Sequence, residues 1–104
     1  MTNEDRIWSA LEEVIDPELG ASITDLGLVY DVAIQNGNQA RIRMTLTIPE
    51  CPLADVIVRN VKSAAEQLEG IDEAEVELVW EPKWTPAAMN DRAREVIRSL
   101  RAGV

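Results

Sequence analysis

Residues 28–48 read LVYDVAIQNGNQARIRMTLTI, and this stretch predicts two antiparallel strands joined by a tight turn. The Asn36-Gly37 pair favours a hairpin because both residues tolerate positive φ. Alternating apolar residues on each side indicate strands with one buried face. Along the first strand the alternating residues are Leu28, Tyr30, Val32 and Ile34. Along the second we expect these side chains to point inward: Ile42, Met44, Leu46 and Ile48. We expect these to point outward: Arg41, Arg43, Thr45 and Thr47.

Helices are predicted on both sides of the hairpin. The first runs from about Glu4 to Ile15, with Thr2 or Asn3 as its cap. Asp16-Pro17 should end it, because the residue before a proline avoids helical angles. Residues 16–27 form a long connection, in which residues 22–25 predict one helical turn and Gly27 its end.

A second helix should begin at Cys51-Pro52 and end at Gly70, since proline suits the first helical position. Its buried stripe is Leu53, Ile57, Val61, Ala64 and Leu68. A third strand is predicted over 74–80, with Val76, Leu78 and Trp80 inward and Glu75 and Glu77 outward. Thr85-Pro86 should open a last helix with the stripe Met89, Ala93, Val96, Ile97 and Leu100.

The element order predicts one α+β domain over residues 1–104, a two-layer α-β-β-α-β-α unit. Its three-stranded mixed sheet should be covered by helices on one face. The strand–helix–strand crossover places the third strand parallel to the second, while the strand order stays open. Outward Arg41 and Arg43 suit Glu75 and Glu77 as neighbours. We expect one core that contains Ile42, Met44, Leu46, Ile57, Leu68, Val76 and Leu78.

The charge distribution disfavours nucleic acid as a partner. The formal net charge is −9, and residues 1–82 hold 17 acidic against 5 basic residues, so this part of the chain repels phosphate backbones. No apolar run approaches the roughly 20 residues of a membrane span. The polar, acidic N-terminus is unlike a signal peptide, and a lone cysteine agrees with a reducing compartment. We therefore expect a cytoplasmic protein without a membrane partner.

Cys51 is the one cysteine, and the chain has no histidine. A Cys–His or Ser–His dyad within one chain is thus excluded, as is a four-ligand zinc site. At a helix start the free N–H groups should lower the pKa of the thiol, and adjacent Glu50 opposes this. The residues alone leave two interpretations open, a small buried apolar side chain and a functional thiol. Asp16 is likewise either an ordinary helix-ending residue or part of a site.

Three segments together resemble the SufT/PaaD-like iron–sulfur cluster assembly domains. The first is Asp16-Pro17-Glu18 with residues 23–29, ITDLGLV; the second is residues 44–53, MTLTIPECPL. The third is residues 80–86, WEPKWTP, with Met89. The segments occur in the family's order and span most of the chain. The C-terminal cysteine-rich extension of PaaD-like members is missing, so the chain resembles the minimal single-domain type.

This resemblance implies a non-enzymatic factor for the maturation of iron–sulfur proteins. It implies that Cys51 is a transient metal ligand or contact thiol and that Asp16 and Thr47 lie in the same cofactor-binding pocket. It implies a transient iron–sulfur cluster with nothing tightly bound, and as partners the assembly machinery or recipient apo-proteins. One cysteine cannot supply the usual four ligands, so a homodimer is one way to complete a cluster. Two alternatives remain, an enzyme with Cys51 as nucleophile and a purely structural adaptor.

Overall fold

The computed structural model describes residues 2–47 and 52–102, with side chains described up to residue 99. It confirms the predicted α+β class and the order α-β-β-α-β-α. The elements are α1 (Asn3–Leu11), β1 (Val29–Gln35), β2 (Gln39–Met44), α2 (Ala54–Glu66), β3 (Glu73–Leu78), a 3₁₀ turn (Pro86–Ala88) and α3 (Asp91–Ala102).

The sheet has the order β1-β2-β3, which the sequence left open. The β1–β2 hairpin is antiparallel, and Asn36 and Gly37 take φ of 53° and 79° as its turn requires. β3 pairs parallel to β2, so Arg41 lies opposite Glu75 and Arg43 opposite Glu77. α1 packs on β1 and on α2, and α2 packs on β3. These two helices form the layer that covers one face of the sheet.

α1 is shorter than predicted. Thr2 caps it, and the reciprocal bonds between Thr2 and Asp5 form a capping box. The helix ends at Leu11 rather than at Ile15, because residues 14–16 pair with residues 21–23. Ile15 and Ser22 form an isolated antiparallel bridge at the centre of this pairing. Asp16-Pro17 therefore lies in a small hairpin-like turn and does not end the helix.

Two predicted side-chain directions are wrong. Thr45 was expected outward but is 1% exposed, and Trp80 was expected inward but is 42% exposed. Both residues lie past the end of a strand, since β2 ends at Met44 and β3 at Leu78. Alternation of faces holds only along the paired ladder, and beyond it the chain turns each side chain differently. Ile48, expected inward, lies outside the described residues.

α2 begins at Ala54 after Leu53 and ends at Glu66, four residues before Gly70. Its predicted stripe is confirmed at Ile57 and Val61, which are fully buried. The predicted start at Cys51 lies outside the described residues. Pro52 stands in the turn before the helix rather than at its first position.

The predicted last helix is two elements. The 3₁₀ turn Pro86–Ala88 ends at Met89, whose ψ of 141° is extended, and α3 starts at Asp91. Asn90 caps α3, because its side-chain oxygen accepts the N–H of Ala93 at 3.0 Å. The Asn90-Asp91 pair is a helix-start signal that would have placed this break from the sequence.

The predicted core is confirmed. Ile42, Met44 and Ile57 are fully buried and Leu46 is 4% exposed. The rest of the predicted set is half-buried and packs against them, namely Leu68, Val76 and Leu78. Among the described helices, none is long and apolar enough to cross a membrane.

Candidate functional site

Asp16 organises the turn that follows α1. Its side chain is 3% exposed, and Oδ1 accepts the N–H of Glu18 at 2.8 Å and of Leu19 at 3.3 Å. The Asp16 N–H donates to the carbonyl of Ala21 at 2.9 Å. A carboxylate that accepts the backbone N–H two residues further along the chain forms an Asx turn, which fixes the local bend. Asp16 therefore sets the position of Leu19.

The next turn, residues 22–28, closes as a Schellman motif. Leu28 N–H donates to the carbonyl of Ile23 and Gly27 N–H to the carbonyl of Thr24, with Gly27 at φ 77°. This confirms the predicted helical turn and its end at Gly27. A Cβ atom at Gly27 would stand 2.5 Å from the carbonyl oxygen of Ala88. The turn and the 3₁₀ segment are thus in direct backbone contact.

Residues 84–102, which we name the C-terminal arm, are fixed on this turn by polar contacts. The Trp84 indole donates to the carbonyl of Leu26 at 2.7 Å. The Asn90 amide side chain donates to Oδ1 of buried Asp25 at 2.8 Å, and the Asn90 N–H donates to the Asp25 carbonyl. Arg92 approaches the other carboxylate oxygen of Asp25 at 3.8 Å. Ala93, fully buried, brings the start of α3 against the body of the protein.

Docking of the arm creates a cavity of about 500 Å³, which we name the Thr47 cavity. Leu19 and Thr47 contribute the body's side of the wall. The arm contributes the other side: Trp84, Pro86, Met89, Arg94, Ile97 and Arg98. The walls are therefore mainly apolar, and the two ionisable groups among these lining residues are both arginines.

Of the three predicted site residues, the structure describes Thr47 and Asp16. Thr47 is half-buried and faces the cavity. Asp16 does not line the cavity, but it holds Leu19, which does. Cys51 lies outside the described residues, so its distance to Asp16 and to Thr47 remains a prediction. It follows Thr47 by four positions in the chain.

The described residues contain no group of three or more Cys, Asp or Glu side chains placed to hold a metal ion. The buried carboxylates in this region, Asp16 and Asp25, are engaged with backbone and side-chain N–H groups. The region thus offers a mainly apolar cavity with two arginines in its lining, Arg94 and Arg98, and Arg98 pairs with Glu95 at 2.8 Å.

The residues by which the arm contacts the body and lines the cavity were not predicted as site residues. Arg94 and Ile97 belong to an amphipathic helix, and a helical pattern does not say which surface its apolar stripe will contact. Asp25 and Asn90 are 65 positions apart, so no local pattern joins them. Of these features, only the helix-start signal at Asn90 could have been recognised beforehand.

Comparison with known proteins agrees with the fold. The family model described as iron–sulfur cluster assembly protein matches residues 4–78. The Fe-S protein maturation auxiliary factor YitW of Bacillus subtilis is 46% identical over 91 residues, which cover 88% of this chain and 89% of that protein. The Fe-S protein maturation auxiliary factor SufT of Staphylococcus aureus is 41% identical over 78% of this chain and 92% of its own.

A solved structure is similar along nearly the whole chain. The crystal structure of a domain of unknown function, DUF59, from Bacillus anthracis superposes with a TM-score of 0.85 at 40% sequence identity. The similarity covers 98% of this chain and 92% of that one.

Proposed function

The chain belongs to the iron–sulfur cluster assembly protein family, and from this premise we propose that it is a non-enzymatic factor in the maturation of iron–sulfur proteins. The observation that carries the proposal is the 46% identity to a maturation auxiliary factor over most of both chains. The cluster is then cargo, passed to a recipient apo-protein. The partners are the assembly machinery and these recipients.

We assign Cys51 the role of transient ligand or contact thiol. A cluster usually takes four cysteine thiolates, and this chain has one cysteine and no histidine. Cargo would therefore be shared with a second copy or with a partner protein, which suits a factor that must release it. Absence of a full ligand set favours transfer over storage.

Asp16 and Thr47 take supporting roles in this proposal. The Asp16 carboxylate is occupied by the N–H groups of Glu18 and Leu19, which suits it to hold the cavity wall rather than to bind metal. Thr47 joins the cavity to the segment that leads to Cys51. A recipient bound at the cavity would thus contact Thr47, which precedes Cys51 by four positions in the chain.

The test is transfer of a cluster in a purified anaerobic system. A cluster-loaded scaffold protein and an apo-dehydratase are mixed with wild type, Cys51→Ala or Cys51→Ser, and the recovery of dehydratase activity is followed. Ser99→Ala, which removes an exposed hydroxyl on α3, is the matched control. We expect wild type and Ser99→Ala to accelerate activation and both Cys51 variants to fail.

Two results would favour the alternatives. Equal acceleration by wild type and Cys51→Ala would point to a structural adaptor with an inert thiol. Rapid alkylation of Cys51 at neutral pH, with turnover of a substrate in the absence of any cluster, would point to a cysteine-dependent enzyme. A stable cluster at full occupancy in each monomer would contradict the transfer role.

A further inference from the structure

We propose that the Thr47 cavity is a docking site for an acidic segment of a partner protein, one that inserts a bulky apolar side chain beside a carboxylate. The inference rests on the proposed function in one respect, that the partner is a protein. The walls and charges that support it belong to described residues.

Arg94 is an anion receptor held ready at the rim. Its Nε donates to the carbonyl of Met89 at 3.3 Å and its Nη2 to the carbonyl of Pro86 at 3.4 Å. Neutral carbonyl oxygens orient the guanidinium without cancelling its charge, and no described carboxylate pairs with it within 4.0 Å. A cation that is already oriented loses less conformational freedom when it binds a carboxylate.

The interior of the cavity suits one large apolar side chain. Half-buried Leu19, Trp84, Met89 and Ile97 form its walls, and about 500 Å³ is within the range of specific ligand pockets. Methionine and tryptophan surfaces adapt to and bury aromatic or aliphatic groups well. An apolar side chain provides the contact area, and the neighbouring carboxylate provides orientation at Arg94.

Charge complementarity selects an acidic partner. The arm, residues 84–102, holds 4 basic and 2 acidic residues, whereas residues 1–82 hold 5 basic and 17 acidic. An acidic segment is repelled by most of the molecule and attracted by the arm, so electrostatics direct it to this cavity. A basic segment would be drawn to the body and away from it.

The experiment measures binding of a capped peptide, acetyl-Gly-Asp-Phe-Glu-Gly-amide, by calorimetry. Two comparison peptides carry Asn and Gln in place of the acids, or Ala in place of Phe. The protein variants are Arg94→Gln and Ile97→Ala, and the matched control is Arg59→Gln, which removes the same charge from an exposed site on α2. Circular dichroism melts establish that each variant is folded.

We expect Arg94→Gln to weaken binding about five- to tenfold, because a charge-assisted hydrogen bond is lost at a partly exposed site. Arg59→Gln should change the affinity less than about twofold, as a distant screened charge does. Ile97→Ala should weaken binding of the Phe peptide and leave the weak binding of the Ala peptide unchanged. Added salt should weaken binding to wild type more than to Arg94→Gln.

Four results would overturn the proposal. The first is equal affinity of wild type for the acidic and the amide peptide, and the second is equal affinity of wild type and Arg94→Gln for the acidic peptide. The third is binding of 3-phenylpropionate without binding of the acidic peptide. The fourth is occupation of the cavity by a second copy, seen as self-association that Ile97→Ala abolishes. Cys51→Ala should bind the peptide normally. A wild-type protein that binds the peptide but does not accelerate cluster transfer would refute the proposed function and not the docking site.

Discussion

Replacing Gly27 by alanine tests whether the arm is fixed on the body as the structure indicates. Gly27 has a φ of 77°, and an added Cβ would lie 2.5 Å from the Ala88 carbonyl oxygen and 2.7 Å from the Ala88 Cβ. These neighbours are backbone or attached directly to it, so they cannot move aside as a flexible side chain does. Gly27→Ala must displace the arm.

The magnitude has two parts. A non-glycine residue in the left-handed region costs about 1–2 kcal/mol, partly offset by about 0.4–1 kcal/mol from the restricted unfolded chain. Overpacking against backbone adds about 1–3 kcal/mol. The arm can instead leave the body, which relieves the clash and breaks the hydrogen bonds from Trp84 to Leu26 and from Asn90 to Asp25. Each of these bonds contributes about 1 kcal/mol, so their loss sets an upper limit on the second part. We expect a total loss of about 2–4 kcal/mol.

Gly37→Ala is the matched control. Gly37 has nearly the same φ, 79°, but has no atom within 4 Å of an added Cβ. It should lose about 1 kcal/mol, the backbone cost alone. Urea denaturation followed by circular dichroism gives both free energies of unfolding. Tryptophan fluorescence without urea, measured in a background with Trp8→Phe and Trp80→Phe, reports exposure of Trp84. Equal losses for the two variants, with unchanged fluorescence, would refute the contact between Gly27 and the arm.

Two further predictions concern the core and the pH dependence of stability. Leu46→Ala should lower the free energy of unfolding in urea by about 2–5 kcal/mol, as core truncations do. Glu77→Ala should lower it by about half a kcal/mol, because the ion pairs of Glu77 with Arg41 and Arg43 are exposed. Similar losses for the two variants would contradict the assigned faces. Burial raises the pKa of Tyr30, whose hydroxyl donates to the Pro82 carbonyl, so the folded state retains a proton that the unfolded chain loses near pH 10. The stabilisation from this retained proton is complete below about pH 10 and is lost as the pH rises toward the raised pKa of Tyr30. Between about pH 8 and about pH 11 the free energy of unfolding of Tyr30→Phe should therefore fall less than that of wild type. Parallel curves of this free energy against pH would contradict the prediction.

Local signals determined how much of the fold could be predicted. Asn36-Gly37 and the alternating strands fixed the hairpin because the turn and its ladder depend on neighbours in the chain. The start of α1 was predicted to within one residue, because its cap, Thr2, bonds to Asp5 only three positions further along the chain. The end of α1 could not be predicted, because residues 14–16 leave the helix to pair with residues 21–23.

The candidate site depended on contacts that the sequence does not display. The resemblance selected Asp16, Thr47 and Cys51, and the structure places Thr47 in a cavity and Asp16 in the turn behind it. The cavity itself exists because Trp84 and Asn90 bond to residues 58 and 65 positions earlier. Such pairings arise from tertiary packing, and neither residue carries a local pattern that names its partner.

The long reach of these contacts has a consequence for how the protein matures. α1, the sheet and α2 lie within residues 3–78, whereas the arm closes the longest loops in the chain, so its docking has the greater entropic cost. We expect its amides to exchange with solvent before those of β2, and we expect it to dock last during synthesis. A chain clipped before Trp84 would lose buried Ala93 from its core and would lack the Thr47 cavity. The docking proposed at that cavity would therefore require the arm to be present and folded on the body.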